Sequence, residues 1–253
     1  KSKRKVGNTN LDEGQTNRQL NVEKFGSGFF DGSDISFVPV DGISVPDDYM
    51  LGPGDSINLL VLGSVSIDEE FEIGRDGLIK IPELGTVSVG GLTFGEATSQ
   101  IKEKIGTKAI VNEVYISMGK LKRINIMVLG EVAVPGNYAV SSFTTVLEAL
   151  YLSGGVNEHG SYREISVKRN GRLVSTFDLY DLLLQGDGSN TTRLRAGDVV
   201  FVPLASREVT TVGGFKRRKK FELIDEENLA DLLSMSGGFE EDADGRNIMI
   251  SRL

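Results

Sequence analysis

From residue 45 to residue 120 the chain alternates short apolar runs with turn residues, which is the pattern of strands joined by tight turns. Residues 57–62 form the first apolar run. Residues 71–73 and 78–81 flank an Asp-Gly pair at 76–77, and such a pair tolerates the positive φ angles of a two-residue hairpin. We therefore predict a strand over 57–62 and a hairpin between 71–73 and 78–81.

One helix is predicted in the same region. Thr93 and Glu96 have the spacing of a capping box, in which each side chain binds the backbone N–H of the other residue. The apolar residues that follow lie on one helical face: Ala97, Ile101 and Ile105. A strand over residues 114–118 closes the unit. The pattern is that of a small α+β domain.

Residues 121–204 show the same kinds of signal in a second unit. Thr145 and Glu148 repeat the capping-box spacing and predict a helix that ends at a Gly-Gly pair, 154–155. The Asn-Gly pair at 170–171 is the strongest short signal for a hairpin. The last strand follows Gly197-Asp198, just as the first strand of the earlier unit follows Gly54-Asp55.

The chain also repeats itself. A shift of 83 residues without any gap aligns identical residues at turn glycines, apolar positions and the arginines that bracket one strand, where backbone geometry or packing constrains the residue type. We therefore predict that residues 205–253 are a second, truncated copy of the preceding unit. The aligned pairs are Gly130 with Gly213, Leu150 with Leu233, Ser153 with Ser236, Gly154 with Gly237, Gly155 with Gly238, Arg163 with Arg246, Ile165 with Ile248 and Arg169 with Arg252.

Residues 1–44 are polar and show no sustained period, so we expect a linker or arm. The segment begins without Met and without an apolar signal core, which indicates a processed or trimmed chain. The longest apolar run of the whole chain, at 124–134, is too short for a membrane-spanning helix. Four phenylalanines of the arm are expected to pack on the first domain or to dock on a neighbouring molecule: Phe25, Phe29, Phe30 and Phe37.

Charge and composition exclude several classes of function. The net charge is −8 and the pI is near 4.9, so the chain lacks the excess of basic residues that a general nucleic-acid binder needs. There is no Cys, which excludes disulfides, thiolate catalysis and Cys-based zinc sites. His159 is the only histidine and lies in a polar loop, where a surface role is expected rather than a catalytic one.

Acidic clusters occur at 68–72 and at 240–245, and either could be imagined as a calcium site or as a pair of catalytic carboxylates. Neither has the spacing of a calcium-binding loop, and a glycosidase pair is defined by a distance in space. Gly90 and Gly95 belong to a glycine-rich stretch that continues with Glu96 where a phosphate-binding loop carries Lys. We expect solvated acidic loops and predict no cofactor, metal or nucleotide site.

One basic run stands out in this acidic chain. The 83-residue shift places it at the hairpin turn of the first copy, so we expect it to project from a loop. There it would contact an acidic sugar polymer, a phospholipid headgroup or an acidic patch of a neighbouring subunit, or it would only improve solubility. The residues of the run are Lys216, Arg217, Arg218, Lys219 and Lys220.

Four groups of motifs follow one another along the chain. They lie at 49–55; at 76–97; at 128–136; and at 153–155, 169–171 and 198–203. Their order resembles that of the bacterial outer-membrane polysaccharide export proteins, in particular the capsule exporters of ATP-driven transport systems. The first two groups are similar to the export domain of that family, and the later ones to its soluble-ligand-binding β-grasp modules. The basic run departs from the family pattern, because it replaces a Glu-Val pair and a Pro-Gly turn.

The resemblance implies an α+β fold of tandem small domains, in which an export domain of short strands plus one helix precedes β-grasp-like repeats. The predicted division is an arm at 1–44, the export domain at 45–120, the first repeat at 121–204 and the truncated second repeat at 205–253. It also implies a homo-oligomeric ring or conduit in the periplasm, associated with the outer membrane of a Gram-negative bacterium. That ring would receive a polysaccharide from an inner-membrane polysaccharide export or co-polymerase protein.

No catalytic residue and no cofactor come with the resemblance. A conduit must release its cargo, so we expect polar lumen residues without clustered aromatic side chains that would hold a sugar by stacking. The sequence also leaves two different functions open. The chain could be a monomeric periplasmic carbohydrate-binding module, or a carbohydrate-active enzyme that uses paired carboxylates.

Overall fold

The computed structural model describes residues 22–32, 45–108, 110–188, 192–243 and 248–251. Within these ranges the chain forms short strands, small sheets and few helices, which confirms the predicted α+β class with tandem small domains. The chain divides into two compact units, residues 26–206 and residues 1–25 together with 207–253. Several residues named above lie outside the described ranges: Phe37, Asp244, Gly245, Arg246 and Arg252.

The first part of unit 26–206 contains a three-stranded antiparallel sheet, a separate hairpin and one helix. The sheet has the strand order β2-β1-β5, and β3 pairs with β4. The helix α1 turns Ala97, Ile101 and Ile105 toward the sheet, as predicted. The elements are β1 (Ser56–Gly63), β2 (Ile67–Glu72), β3 (Leu78–Ile81), β4 (Gly85–Ser88), α1 (Phe94–Lys108) and β5 (Val111–Met118).

The predicted hairpin between 71–73 and 78–81 is wrong, although the turn itself forms. Gly77 has a φ angle of 75°, and its N–H donates to the Gly74 carbonyl at 2.9 Å. Beyond this turn, however, β2 pairs with β1 and β3 pairs with β4. An Asp-Gly pair specifies the local turn, whereas the ladder partner of a strand depends on which apolar faces are buried together.

The second part of unit 26–206 is built on a five-stranded sheet. Its strand order is β7-β6-β10-β8-β9, with β10 parallel to β6 and antiparallel to its other neighbour. The helix α2 begins with the predicted capping box, in which the Thr145 N–H donates to Glu148 at 2.8 Å. The elements are β6 (Arg123–Gly130), β7 (Gly136–Ser141), α2 (Val146–Leu152), β8 (Ile165–Arg169), β9 (Arg172–Phe177), a short π-helix (Asp181–Gln185) and β10 (Val199–Val202).

Local signals in this second part predict the structure well. Asn170 and Gly171 join β8 to β9 with φ angles of 50° and 76°, so the predicted hairpin is confirmed. Along β6 the side chains alternate between the core and the surface, and Ile124, Ile126 and Val128 are buried. A small mixed sheet, with α2 between β7 and β8 in the chain, agrees with the β-grasp-like arrangement that we expected.

The second compact unit contains β11 (Glu208–Thr210), β12 (Lys220–Glu222) and α3 (Leu229–Met235). Its strand pairing has the same register as the first copy. Val209 lies opposite Phe221, just as Ile126 lies opposite Tyr138, and each partner is 83 residues further along the chain. The helix α3 also begins with a capping box, formed by Asn228 and Asp231 at the positions of Thr145 and Glu148.

Backbone hydrogen bonds after the two helices are equivalent as well. The Ala133 N–H donates to the Gly155 carbonyl, and 83 residues later the Lys216 N–H donates to Gly238, both at 3.0 Å. Val132 forms a β-bridge with Val156, and Phe215 forms the equivalent bridge with Phe239. The repeat in sequence therefore has a counterpart in the hydrogen-bonding pattern.

The described residues of the arm do not pack on the first domain as expected. In unit 26–206, Phe30 contacts Tyr151 with ring centroids 4.9 Å apart and covers Gly155, where an added Cβ would lie 2.5 Å from the Phe30 side chain. In the other unit, Phe25 stacks on Phe221. The two phenylalanines therefore pack on aromatic residues from later parts of the chain, and the missing side chain of Gly155 leaves space for Phe30.

Candidate functional site

The basic run, residues 216–220, is anchored to the end of α3. The N–H groups of Lys216 and Arg217 donate to the carbonyls of Gly238 and Ser236, both at 3.0 Å. The side chains at 216–218 are exposed, and those of Lys219 and Lys220 are partly buried. The run is therefore a surface segment with a fixed backbone.

Four side chains of the run have partners within the same unit. Arg217 donates to the Met235 carbonyl at 2.8 Å, near the end of α3 where carbonyl groups lack helical partners. Arg218 lies 2.7 Å from Glu240, and Lys220 lies 3.6 Å from Glu208. The fourth, Lys219, donates a hydrogen bond to Glu23, and this contact lowers the pKa of the Glu23 carboxyl below its ordinary value.

Among the described residues, no carboxylate lies within ion-pair distance of the Lys216 ammonium group. The partners of its neighbours are mostly exposed, and exposed ion pairs stabilise a protein by only ~0–1 kcal/mol. An anionic ligand can therefore replace such partners at small cost. The positive charges of Lys216 and Arg218 are therefore accessible to an anionic ligand.

Beside the run lies an aromatic pair that the sequence analysis missed. The rings of Phe215 and Phe239 have centroids 5.1 Å apart and are tilted by 48°. Both side chains are partly exposed, whereas the equivalent Val132 and Val156 of the first copy are buried. The expectation about lumen residues stays a prediction, but the fold brings together two rings that are distant in the sequence.

A short N-terminal segment, residues 22–25, adjoins the run. Lys24 pairs with Lys220 in a parallel bridge, the Phe25 N–H donates to the Lys220 carbonyl at 2.9 Å, and the Lys220 N–H donates to Glu23 at 3.0 Å. The Lys24 side chain is 3% exposed and lies 2.9 Å from Glu208. No sequence signal distinguished this lysine, because its burial depends on strands that are far away in the chain.

Both Gly-Asp pairs place a buried carboxylate at the start of a strand. Asp55 accepts hydrogen bonds from the N–H groups of Gly52 at 2.9 Å and Lys122 at 2.8 Å. Asp198 accepts one from the Arg195 N–H at 2.8 Å and two from the Arg169 guanidinium. Each carboxylate closes its own turn and neutralises a nearby cation, so these residues have a structural role.

Tyr49 extends the Asp55 network within unit 26–206. Its hydroxyl donates to Asp55 at 2.8 Å and lies 2.7 Å from the Ser142 hydroxyl, and its ring stacks on Phe143. Burial raises the pKa of the Tyr49 hydroxyl well above its ordinary value, and the charge of Asp55 adds to the effect. This network joins the residues that precede β1 to the segment that follows β7.

The acidic side chains of the two clusters that the structure describes lie at the surface. On β2, Glu70 accepts hydrogen bonds from the Ser56 hydroxyl and the Lys120 N–H, and these bonds lower the pKa of its carboxyl. Glu240 of the second cluster binds Arg218. His159 is exposed in a turn. Within the described ranges, no group of three or more acidic or histidine side chains is arranged to hold a metal ion.

No helix in the described part of the chain is both long enough and apolar enough to cross a membrane.

Comparison with known proteins agrees with the fold. The family model described as polysaccharide biosynthesis/export protein matches residues 43–119, and that of the SLBB domain matches residues 124–202. Two sequences of the polysialic acid transport protein KpsD from Escherichia coli are 32% identical over 183 residues, which is 70% of this chain and 32% of theirs. The chain thus spans about a third of the length of these relatives. Taken with the tandem α+β fold, these matches show that the chain belongs to the polysaccharide export protein family.

Proposed function

We propose that this chain is part of a component of capsular or exopolysaccharide export and forms an oligomeric conduit for the polymer. It would act in the periplasm, associated with the outer membrane of a Gram-negative bacterium. The observation that carries this proposal is the order of the two family matches along the tandem domains, with similarity to a transport protein over both. The protein would conduct its cargo without catalysing a reaction.

The domains divide the work in this proposal. Residues 45–120 act as the export domain, 121–204 as the first β-grasp-type repeat, 205–253 as the second repeat and 1–44 as the arm. Supporting this division, the first sheet is complete between Ser56 and Met118 and the five-stranded sheet between Arg123 and Val202. The partners would be a polysaccharide, further copies of the chain and an inner-membrane polysaccharide export or co-polymerase protein, with no nucleic acid.

Sheet edges provide surfaces through which separate molecules of this chain could contact one another in an oligomer. In the described residues, β2 and β5 lie at the edges of the first sheet, and β7 and β9 lie at the edges of the second. An edge strand presents backbone donors and acceptors that a neighbouring chain can use. The acidic side chains at 68–70 on β2 oppose pairing with an arbitrary partner and favour a specific one.

The mass of the intact protein in mild detergent, measured by light scattering together with negative-stain imaging, tests the proposal. A closed ring of several copies is expected. A stable monomer at micromolar concentration would contradict the oligomeric conduit. The monomeric carbohydrate-binding module would then be the better explanation, because the partly exposed rings of Phe215 and Phe239 lie beside basic residues. Saturable binding of a saccharide by that monomer, measured by calorimetry, would support it.

A further inference from the structure

We infer that Phe215 and Phe239, together with Lys216 and Arg218, form a contact site for an acidic saccharide on the second repeat. This inference rests on the proposed function and specifies the chemistry of its cargo. The two rings present apolar surface to the C–H face of a sugar ring. The two cations bind a carboxylate of the same or the next sugar.

Backbone and side-chain contacts bring these residues together in the second repeat. A β-bridge pairs the backbones of Phe215 and Phe239, and the centroids of their rings lie 5.1 Å apart. Lys216 follows the first ring directly, and its backbone is held by Gly238, which precedes the second ring. Arg218 contacts Glu240, the residue after Phe239, at 2.7 Å. Each cation is thus held, by its backbone or by its side chain, to the segment after α3 that carries Phe239.

The first repeat shows that the fold does not require these residue types. It has valine at both aromatic positions, 132 and 156, and alanine and proline where the second repeat has Lys216 and Arg218. The hydrogen bonds of the two repeats are nevertheless equivalent at these positions. Valine completes the packing in the first repeat and is buried there, whereas the rings of the second repeat stay partly exposed. The second repeat therefore carries aromatic and basic groups that its backbone does not need.

Glu240 regulates the strength of the site. Its carboxylate occupies Arg218, and the two side chains are 42% and 54% exposed, so the pair is weak and a carboxylate of the ligand can replace it. Lys216 is exposed and does not have to give up a carboxylate partner among the described residues. Binding at such a site is weak and reversible, which suits a polymer that must move on.

The test measures binding of three probes of equal length to the intact protein by calorimetry: an oligosialic acid hexamer, maltohexaose and hexaglutamate. Oligosialic acid is expected to bind best, because it alone offers both sugar rings and carboxylates. Replacing Lys216 and Arg218 together by Gln should weaken its binding about tenfold, the loss expected for one charge-assisted hydrogen bond. Replacing Lys102 and Lys108, two exposed lysines of α1, by Gln removes the same charge and should have little effect.

Two further variants separate the parts of the site. Phe215→Val with Phe239→Val installs the residues of the first repeat, so the fold is retained, and it should weaken oligosialic acid binding while leaving hexaglutamate binding unchanged. Glu240→Gln frees Arg218 and should strengthen oligosialic acid binding about two- to fivefold, as expected for the loss of a weak competing pair.

The inference fails if the valine variant binds oligosialic acid as well as the wild type, or if hexaglutamate or maltohexaose binds equally well. It also fails if the basic-run variant loses only its binding to vesicles of anionic phospholipid, because the run then contacts a membrane surface. Failure here is distinguishable from failure of the proposed function. If the protein forms rings but binds none of the probes, the conduit is supported and the saccharide site is overturned. If the protein is a monomer that binds oligosialic acid, the site is supported and the conduit is overturned.

Discussion

The Asp55 carboxylate accepts a hydrogen bond from the Lys122 backbone N–H at 2.8 Å and lies 3.2 Å from the ammonium group of the same residue. Asp55 directly precedes β1, and Lys122 directly precedes β6, so this contact joins two sheets that follow one another in the chain. The carboxylate is fully buried and binds both the backbone and the side chain of its partner. It therefore holds the two parts of unit 26–206 in a defined arrangement.

Replacing Asp55 by Asn is expected to destabilise the protein by ~2–4 kcal/mol. The change leaves the Lys122 ammonium group without its buried counter-charge. It also replaces one of the two acceptor oxygens by an amide NH2 group, which cannot accept the hydrogen bond from the Gly52 N–H. Chemical denaturation followed by circular dichroism measures the effect. The matched control is Asp48→Asn, an exposed position that should change stability by less than ~0.5 kcal/mol. Equal effects of both variants would contradict the role of Asp55.

The raised pKa of Tyr49 predicts a pH dependence. In the folded state the hydroxyl stays protonated above its ordinary pKa of 10.0, whereas in the unfolded chain it ionises near that value. The unfolded state therefore loses its proton first, and the stability that Tyr49 contributes is complete below pH 10 and falls as the pH rises above it.

Tyr49→Phe should remove the contribution of Tyr49 to this dependence and leave the smaller one of Tyr151, whose pKa is also raised by burial. It should also cost ~1–2 kcal/mol at pH 7, through the loss of the bonds to Asp55 and Ser142. Urea denaturation at several pH values between neutrality and alkaline pH measures both effects. Tyr115→Phe is the control, because that ring is 59% exposed. If the free energy of unfolding fell equally steeply above pH 10 in the wild type and in the Tyr49 variant, the result would count against the buried network.

Lys24→Ala is expected to release the N-terminal segment, residues 22–25. The change removes a cation that is 3% exposed and lies 2.9 Å from Glu208 and 4.0 Å from Glu222, and breaking a buried pair of this kind costs ~3–5 kcal/mol. The Lys220 N–H, which donates to Glu23, should then exchange faster with deuterium. Lys219→Ala removes only an exposed pair and should leave that exchange rate nearly unchanged.

Gly155→Ala should destabilise the protein more than Gly238→Ala, although the two glycines are equivalent in the repeat. Both have positive φ angles, 86° and 82°, so both changes cost ~1 kcal/mol from the backbone alone. Only at 155 does the added Cβ come within 2.5 Å of the Phe30 side chain. Thermal unfolding of the two variants measures the difference. In a Phe30→Gly background, which removes the Cβ and the ring carbons that the added methyl group would meet, Gly155→Ala should cost less than it does in the wild type. An unchanged cost would show that the clash is not its cause.

Local signals predicted much of the fold. The capping boxes at Thr93 and Thr145 form as expected, because their bonds link residues three positions apart. The Asn-Gly hairpin at 170–171 forms for the same reason. The 83-residue interval, derived from a few identities, also appears in the strand register and in the hydrogen bonds after α2 and α3.

Strand pairing and side-chain contacts between distant parts of the chain were not predicted from the sequence. The turn at 76–77 forms, but β2 and β3 take partners elsewhere. The candidate saccharide site was predicted in part: its basic residues are adjacent in the sequence, whereas its rings, Phe215 and Phe239, are not. Lys24 gave no signal, because it is buried only where the N-terminal segment forms a bridge to β12.

The sequence by itself determined the turns, the helix starts, the repeat interval and the positions of the basic run. Each of these depends on backbone geometry or charge within a few residues, so residue types at short spacing are sufficient to specify it. Only the tertiary structure decided which strands pair, where the arm phenylalanines lie and which aromatic residues adjoin Lys216 and Arg218. These features depend on burying apolar surface from distant parts of the chain together, and many pairings satisfy the same local pattern.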